Sequence, residues 1–149
     1  MKHGPSLLDE NVVVNSVAAF LVILGFVIRQ KLTTSEVGVD VHATHPGSGE
    51  VWFVEAKGQT SSKRKSLRYG KPFTGSQVDV HVARALYTPS ALRQRYPDRR
   101  VVHVGLALPD DDAHQKRVAS ISGILGRVGI EVLWVSANGK VRLAERVAE

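Results

Sequence analysis

The sequence predicts an α/β domain: a mixed β-sheet with helices on both faces. Three observations point there. Two strand-like runs, VGVDVHA (37–43) and VWFVEAK (51–57), flank the turn-forming THPGSGE, which reads as an antiparallel hairpin. Further on, apolar strand-like runs alternate with helix-length segments, the order that βαβ crossovers and parallel pairing produce. The length, 149 residues with 43% hydrophobic and 23% charged, suits a single domain over 1–149 with one substantial core.

The elements follow in order. Ser6 reads as an N-cap with Asp9 three residues on, and the helix runs to about Leu24 with Gly25 as its C′ residue. Glu10, Val13, Val14, Val17, Leu21 and Leu24 fall on one stripe of that helix. Glu10 therefore heads the buried face, an odd place for a carboxylate. Strands follow at 26–32, 37–43 and 51–57, then a polar, basic, glycine-bearing loop at 59–76. A helix starts near Gln77 and reaches Tyr87, ended before Pro89. VVHVGLAL (101–108) reads as a fully buried strand, and 110–129 as one helix opened by acids and closed by Gly129. Strands at 130–136 and 140–146 flank Asn138-Gly139, a strong hairpin signal. The order is αβββαβαβ, with one further C-terminal strand.

Composition narrows the function. The chain has no cysteine, which excludes a disulfide scaffold and a thiolate metal site and fits a reducing cytoplasm. A net charge of +6 favours a polyanionic partner, nucleic acid first and an acidic membrane surface second. The apolar run 12–28 falls short of the roughly 20 residues a spanning helix needs, and Gly25 interrupts it. It reads as a buried helix running into a strand, so no membrane partner is expected.

Alternation along the strands decides which polar groups meet. Asp40 and His42 share one face of their strand; Phe53, Glu55 and Lys57 share a face of theirs. Pairing through the 44–50 turn sets Asp40 beside Glu55 at one end of the sheet. Two carboxylates that close repel, so one holds its proton unless a cation intervenes. Their hard oxygens favour Mg²⁺, which takes one or two carboxylates and keeps several waters. Lys57 beside them is placed to orient or deprotonate a metal-bound water, or to neutralise charge growing on a phosphate.

Asp40 followed by Glu55-Ala56-Lys57 on the next strand resembles the PD-(D/E)XK nuclease superfamily, and the helix-β-β-β-helix-β order over residues 6 to about 108 is similar to its restriction-endonuclease-like core. Val39 stands where that pattern usually has proline. The resemblance implies that Asp40 and Glu55 ligate Mg²⁺ (Mn²⁺ a substitute) together with the Ala56 carbonyl. Lys57 would then serve the attacking water, and Glu10 would be the first-helix acid that many branches add. Gln77 matches a glutamine carried by RecB-like nucleases, although His81 replaces the tyrosine that follows it there. In style the chain is nearest Mrr-like or resolvase-like enzymes, with no branch singled out.

Basic residues supply the expected DNA contacts. Lys63, Arg64, Lys65, Arg68 and Lys71 follow the proposed catalytic strand directly, with Tyr69 and Phe73 available for stacking. Gln77, His81 and Arg84 share one helical face, so Arg84 can line the same cleft. A second cluster, RQRYPDRR (93–100), extends the footprint. Plainer readings stand beside these. Glu55 and Lys57 taken alone suit a solvent-facing ion pair, Glu10 suits the positive end of its helix, and Gln77 suits local hydrogen bonds. Asp110–Asp112 read as a helix N-terminus, and His42 with His45 makes a poor zinc site.

The expectation is a Mg²⁺-dependent DNA endonuclease guided by DNA structure or by a protein partner rather than by base sequence. A homodimer would let it cut both strands. The alternative is a catalytically inactive nuclease-fold module that binds DNA or assembles with partners.

Overall fold

The computed structural model describes residues 7–31, 38–60 and 73–145. Its elements are α1 (Glu10–Ile23), β1 (Val27–Lys31), β2 (Val41–Thr44), β3 (Val51–Ala56), α2 (Gly75–Ala85), α3 (Tyr87–Arg95), β4 (Val102–Pro109), α4 (Asp112–Ala119), α5 (Ser122–Val128), β5 (Ile130–Val135) and β6 (Val141–Leu143). The six strands form one mixed sheet in chain order. β1, β2 and β3 pair antiparallel, β3–β4–β5 parallel, and β6 returns antiparallel. The α/β class and the mixed sheet agree with the sequence.

α1 packs one face of the sheet through Val13, Val14, Val17 and Leu21, over Val41, Ala43, Trp52 and Val54. On the other face, Val78 and Val82 of α2, Val118 and Leu125 meet Leu106, Leu108, Val132 and Trp134. No helix among the described residues is long and apolar enough to cross a membrane.

Several boundaries differ from expectation. Ser6 lies outside the described residues, and Asp9 caps α1, its carboxylate accepting the Val12 N–H at 2.9 Å. Gly25, at φ +95°, ends α1 as expected. Its N–H bonds the Val22 carbonyl and that of Phe26 bonds Leu21, the paired return bonds of a Schellman ending. Leu24 leaves the expected stripe: as C-cap it sits past the last buried turn and is 47% exposed.

The helix expected to stop before Pro89 does so, and a further helix that was not expected, α3, follows it. α2 closes at Ala85, and Pro89 sits in the first turn of α3, where the N–H it lacks would have had no helical partner. The single helix expected over 110–129 also breaks, at Ser120–Ile121. There the Ser120 and Ser122 hydroxyls donate to the Arg117 and Ala119 carbonyls, competing with the continuing ladder. The second expected strand is shorter at its start, so Asp40 stands just ahead of β2. β6 is also shorter than expected, three residues instead of seven.

At the opposite end of the sheet from Asp40, His103 ties β4 to its neighbours. Its Nε2 lies 2.8 Å from Glu50 and its Nδ1 3.1 Å from Glu131, while the ring stacks on Trp52. The hydrogen bond to Glu131, then that to Glu50, raises the His103 pKa against an opposing desolvation. A raised histidine stabilises the fold fully below its unfolded value of about 6.5, and that contribution disappears as pH rises through the folded value. His103→Gln is therefore expected to flatten the fall in melting temperature between pH 6 and pH 9. A wild-type midpoint that does not move across that window would refute the clamp.

Candidate active site

The carboxylate cluster is built by strand register and one close helix approach. Val41 pairs Val54, so the next rung would set Asp40 across from Glu55. Asp40 instead turns its side chain inward, and Oδ2 accepts the Ala56 N–H at 2.7 Å. Glu55 sits on β3, and Lys57 directly beyond it, its N–H bound to the Ala107 carbonyl at 3.0 Å. The Lys57 Nζ lies 3.6 Å from Glu10 and 3.9 Å from Glu55. The structure thus brings together Glu10, Asp40, Glu55 and Lys57.

Glu10 reaches the cluster because the chain before α1 lies directly on Gly58. A Cβ at position 58 would come within 2.6 Å of the Glu10 nitrogen. Gln59 then fastens the approach: its N–H donates to the Leu8 carbonyl at 2.7 Å, and its Oε1 accepts the Leu8 N–H at 2.9 Å. The other end of the amide donates to Asp111 at 3.0 Å, linking α1 to the start of α4. Sequence reasoning had not singled out Gly58 or Gln59. The one available signal was a glycine immediately after Glu-x-Lys.

The side chains of Glu10, Glu55 and Lys57 are 19%, 15% and 22% exposed. Burial is the largest influence on each carboxylate and raises all three pKa values. For Glu55, burial and then the Asp40 charge push the pKa to about 7 from an ordinary 4.5, against the pull of Lys57. The Ala56 N–H and Lys57 oppose the rise at Asp40. Three carboxylates thus share one ammonium, and the ionised cluster lacks positive charge.

Among the described residues, no three His, Cys, Asp or Glu side chains form a metal-holding group. A hard divalent ion does not require one. Mg²⁺ accepts one or two carboxylates and completes its shell with water and substrate oxygens. The donor set of Asp40 and Glu55, charge-deficient and all oxygen, fits that demand.

The remaining expected residues sort as follows. Gln77 forms a capping box at the start of α2: Thr74 accepts its N–H, and its Oε1 accepts the Thr74 N–H at 2.8 Å. His81 stacks on Phe73 at 4.3 Å; burial first and then Lys57 lower its pKa, so it lies within the field of the cluster. Arg84 is exposed on α2. Lys63, Arg64, Lys65, Arg68, Tyr69 and Lys71 lie outside the described residues.

In the second basic cluster, Arg93 is 7% exposed and donates to the Gly129 and Tyr96 carbonyls. Arg99 donates to Gly126 and Arg127. These two close the end of α5 rather than extend a phosphate footprint. Asp111 caps α4, and Asp110 accepts from Gln115 and Arg142, as an acidic helix start should. His45 serves its turn, its Nδ1 accepting the Gly47 and Ser48 N–H groups. No protein-family model and no curated protein matches the chain.

Proposed function

We propose that the protein is a metal-dependent DNA endonuclease with a restriction-endonuclease-like core, hydrolysing phosphodiesters with Mg²⁺, for which Mn²⁺ can substitute. The observation that carries this reading is the charge-deficient cluster of Glu10, Asp40 and Glu55 around Lys57. Asp40, Glu55 and the Ala56 carbonyl would hold the ion. When bound, such an ion polarises a phosphoryl oxygen and makes water acidic enough to attack at neutral pH.

The chain's own groups do the rest. Lys57, held between two carboxylates, presents a positive charge to the phosphate as negative charge grows on it. Glu10 anchors that ammonium from α1 and limits where it can point. Gln77 fixes the first turn of α2, which carries His81 toward the cluster. The +6 charge supports a polyanionic substrate. Nothing in the residues suggests base reading, so DNA shape or a protein partner would supply specificity.

Nicking of supercoiled DNA in Mg²⁺, Mn²⁺ or EDTA, with Asp40→Ala alongside, tests the reading. Cutting that needs metal and vanishes in the variant is the expected result. Tight binding with no cutting in any metal would leave the inactive DNA-binding module instead. Neutralising Lys63, Arg64 and Lys65 together is expected to flatten the slope of log affinity against log salt by about 2–3. An unchanged slope would remove those residues from the phosphate contacts.

A further inference from the structure

Two residues along from Asp40 and Glu55, on the same face of β2 and β3, His42 stands opposite Phe53. Successive same-face residues on a strand lie about 6.6 Å apart, so this pair adjoins the carboxylates directly. The two rings are stacked, with centroids 4.7 Å apart and planes 19° apart. Tyr96, just past α3, continues the stack on Phe53 at 5.4 Å and 20°, and the Arg95 guanidinium lies 5.3 Å from the Tyr96 ring centre. The result is one ladder of three flat rings, closed at one end by an arginine.

Its other end is His42. Among the described residues Phe53 is the only ring stacked on it. α3 packs over β3, β4 and β5 on the ladder's side, whereas α1 packs on the opposite face of the sheet. On the ladder's side, the β1–β2 half of the sheet carries exposed Arg29 and Gln30 and half-buried His42 and Thr44. The Arg29 Nε donates to Thr44 at 2.7 Å, which anchors its guanidinium next to the open end.

We infer that this open half of the sheet is a subsite for an unpaired DNA strand, with one nucleobase stacking on His42 as the next ring of the ladder and Arg29 meeting the adjoining phosphate. The inference rests on the endonuclease reading of the neighbouring carboxylates. Among the described residues no further ring continues the ladder past His42, so a flat ring supplied by a ligand can extend it. In a duplex each base already has both faces covered, so only an unpaired or terminal base can supply one. Charge selects nucleic acid over an aromatic peptide, because arginines stand at both ends of the ladder on a chain of net charge +6.

The test is anisotropy binding of the full chain, in EDTA, to dye-labelled single-stranded DNA, and to a covalently closed circular duplex, which has no terminal base, read as a competitor. His42→Ala is expected to weaken single-strand binding about tenfold and leave duplex binding unchanged, with His42→Phe restoring it. Arg29→Ala is expected to weaken the same binding and lower its salt slope by about one. Equal losses on both DNAs, or no loss on the single strand, would overturn the subsite. So would a tighter grip on single-stranded RNA lost in the same variant, which would overturn the DNA assignment.

EDTA keeps the two ideas separable. A wild type that cuts nothing in any metal, yet needs His42 for single strands, loses the endonuclease reading and keeps the subsite. A wild type that cuts normally while His42→Ala binds single strands fully keeps the endonuclease and loses the subsite.

Discussion

Glu55→Gln is expected to abolish cleavage while making the fold more stable at pH 8. Both effects come from one carboxylate held where its charge is unwelcome. Its pKa is pushed from 4.5 to about 7, chiefly by burial and then by Asp40, so ionisation is easier in the unfolded chain than in the fold. For an acid with a raised folded value, the penalty is absent below the unfolded pKa and grows between about 4.5 and 7. Above that it is constant. A neutral amide of the same shape removes it, a gain on the order of 2–3 kcal/mol at pH 8 and none below pH 4.

Urea denaturation of wild type and variant at the two pH values reads the stability difference directly. The charge that burdens the fold is the one a divalent ion and phosphate chemistry would use. Cleavage should therefore fall by about a thousandfold or more, in the range of losses seen when a catalytic electrostatic or proton-transfer partner is removed. A variant that cuts at full rate in Mg²⁺ would take Glu55 out of the reaction. One that is less stable at pH 8 would show that its attraction to Lys57 outweighs its burial.

Much of this arrangement was legible in the sequence because it depends on local rules. The 45–50 turn and the period of two along β2 and β3 set the register. With it they bring Asp40 to the end of β3, where its carboxylate accepts the Ala56 N–H next to Glu55. Glu10 betrayed itself by heading an otherwise apolar stripe, since a carboxylate persists there when something buried answers it. The misread helices failed at residues whose effect depends on position within a turn. Pro89 stops a helix at its interior but not in a first turn, and the Ser120 and Ser122 hydroxyls break α4 from α5 through their own carbonyl bonds.

Gln77 shows a different limit. One glutamine suits a catalytic cleft and local hydrogen bonds equally well in sequence, and the structure shows the latter as a capping box with Thr74. What Gly58 and Gln59 do lay beyond local sequence pattern. Their partners, Leu8, Glu10 and Asp111, are about fifty positions away in either direction.

Gly58→Ala is therefore the substitution expected to damage the site most without touching a charged group. The added methyl would lie 2.6 Å from the Glu10 nitrogen, 2.7 Å from the Asp9 carbonyl carbon and 2.9 Å from the Leu8 oxygen. All three are backbone atoms, so no flexible side chain can give way. The two Gln59–Leu8 hydrogen bonds hold that backbone in place, and relief requires the first turn of α1 to move off β3. Such overpacking costs about 1–3 kcal/mol. Moving α1 also draws Glu10 away from Lys57, leaving the ammonium to Glu55 alone. The variant should unfold at lower urea and cut DNA more slowly even where it remains folded. Gly126→Ala in α5 is the matched control, because its methyl meets nothing within 4 Å and alanine favours a helix. It should gain about 0.5–1 kcal/mol and keep full activity. If Gly58→Ala were as stable as wild type, the close approach of α1 to β3 would be wrong, and with it the placement of Glu10 in the cluster.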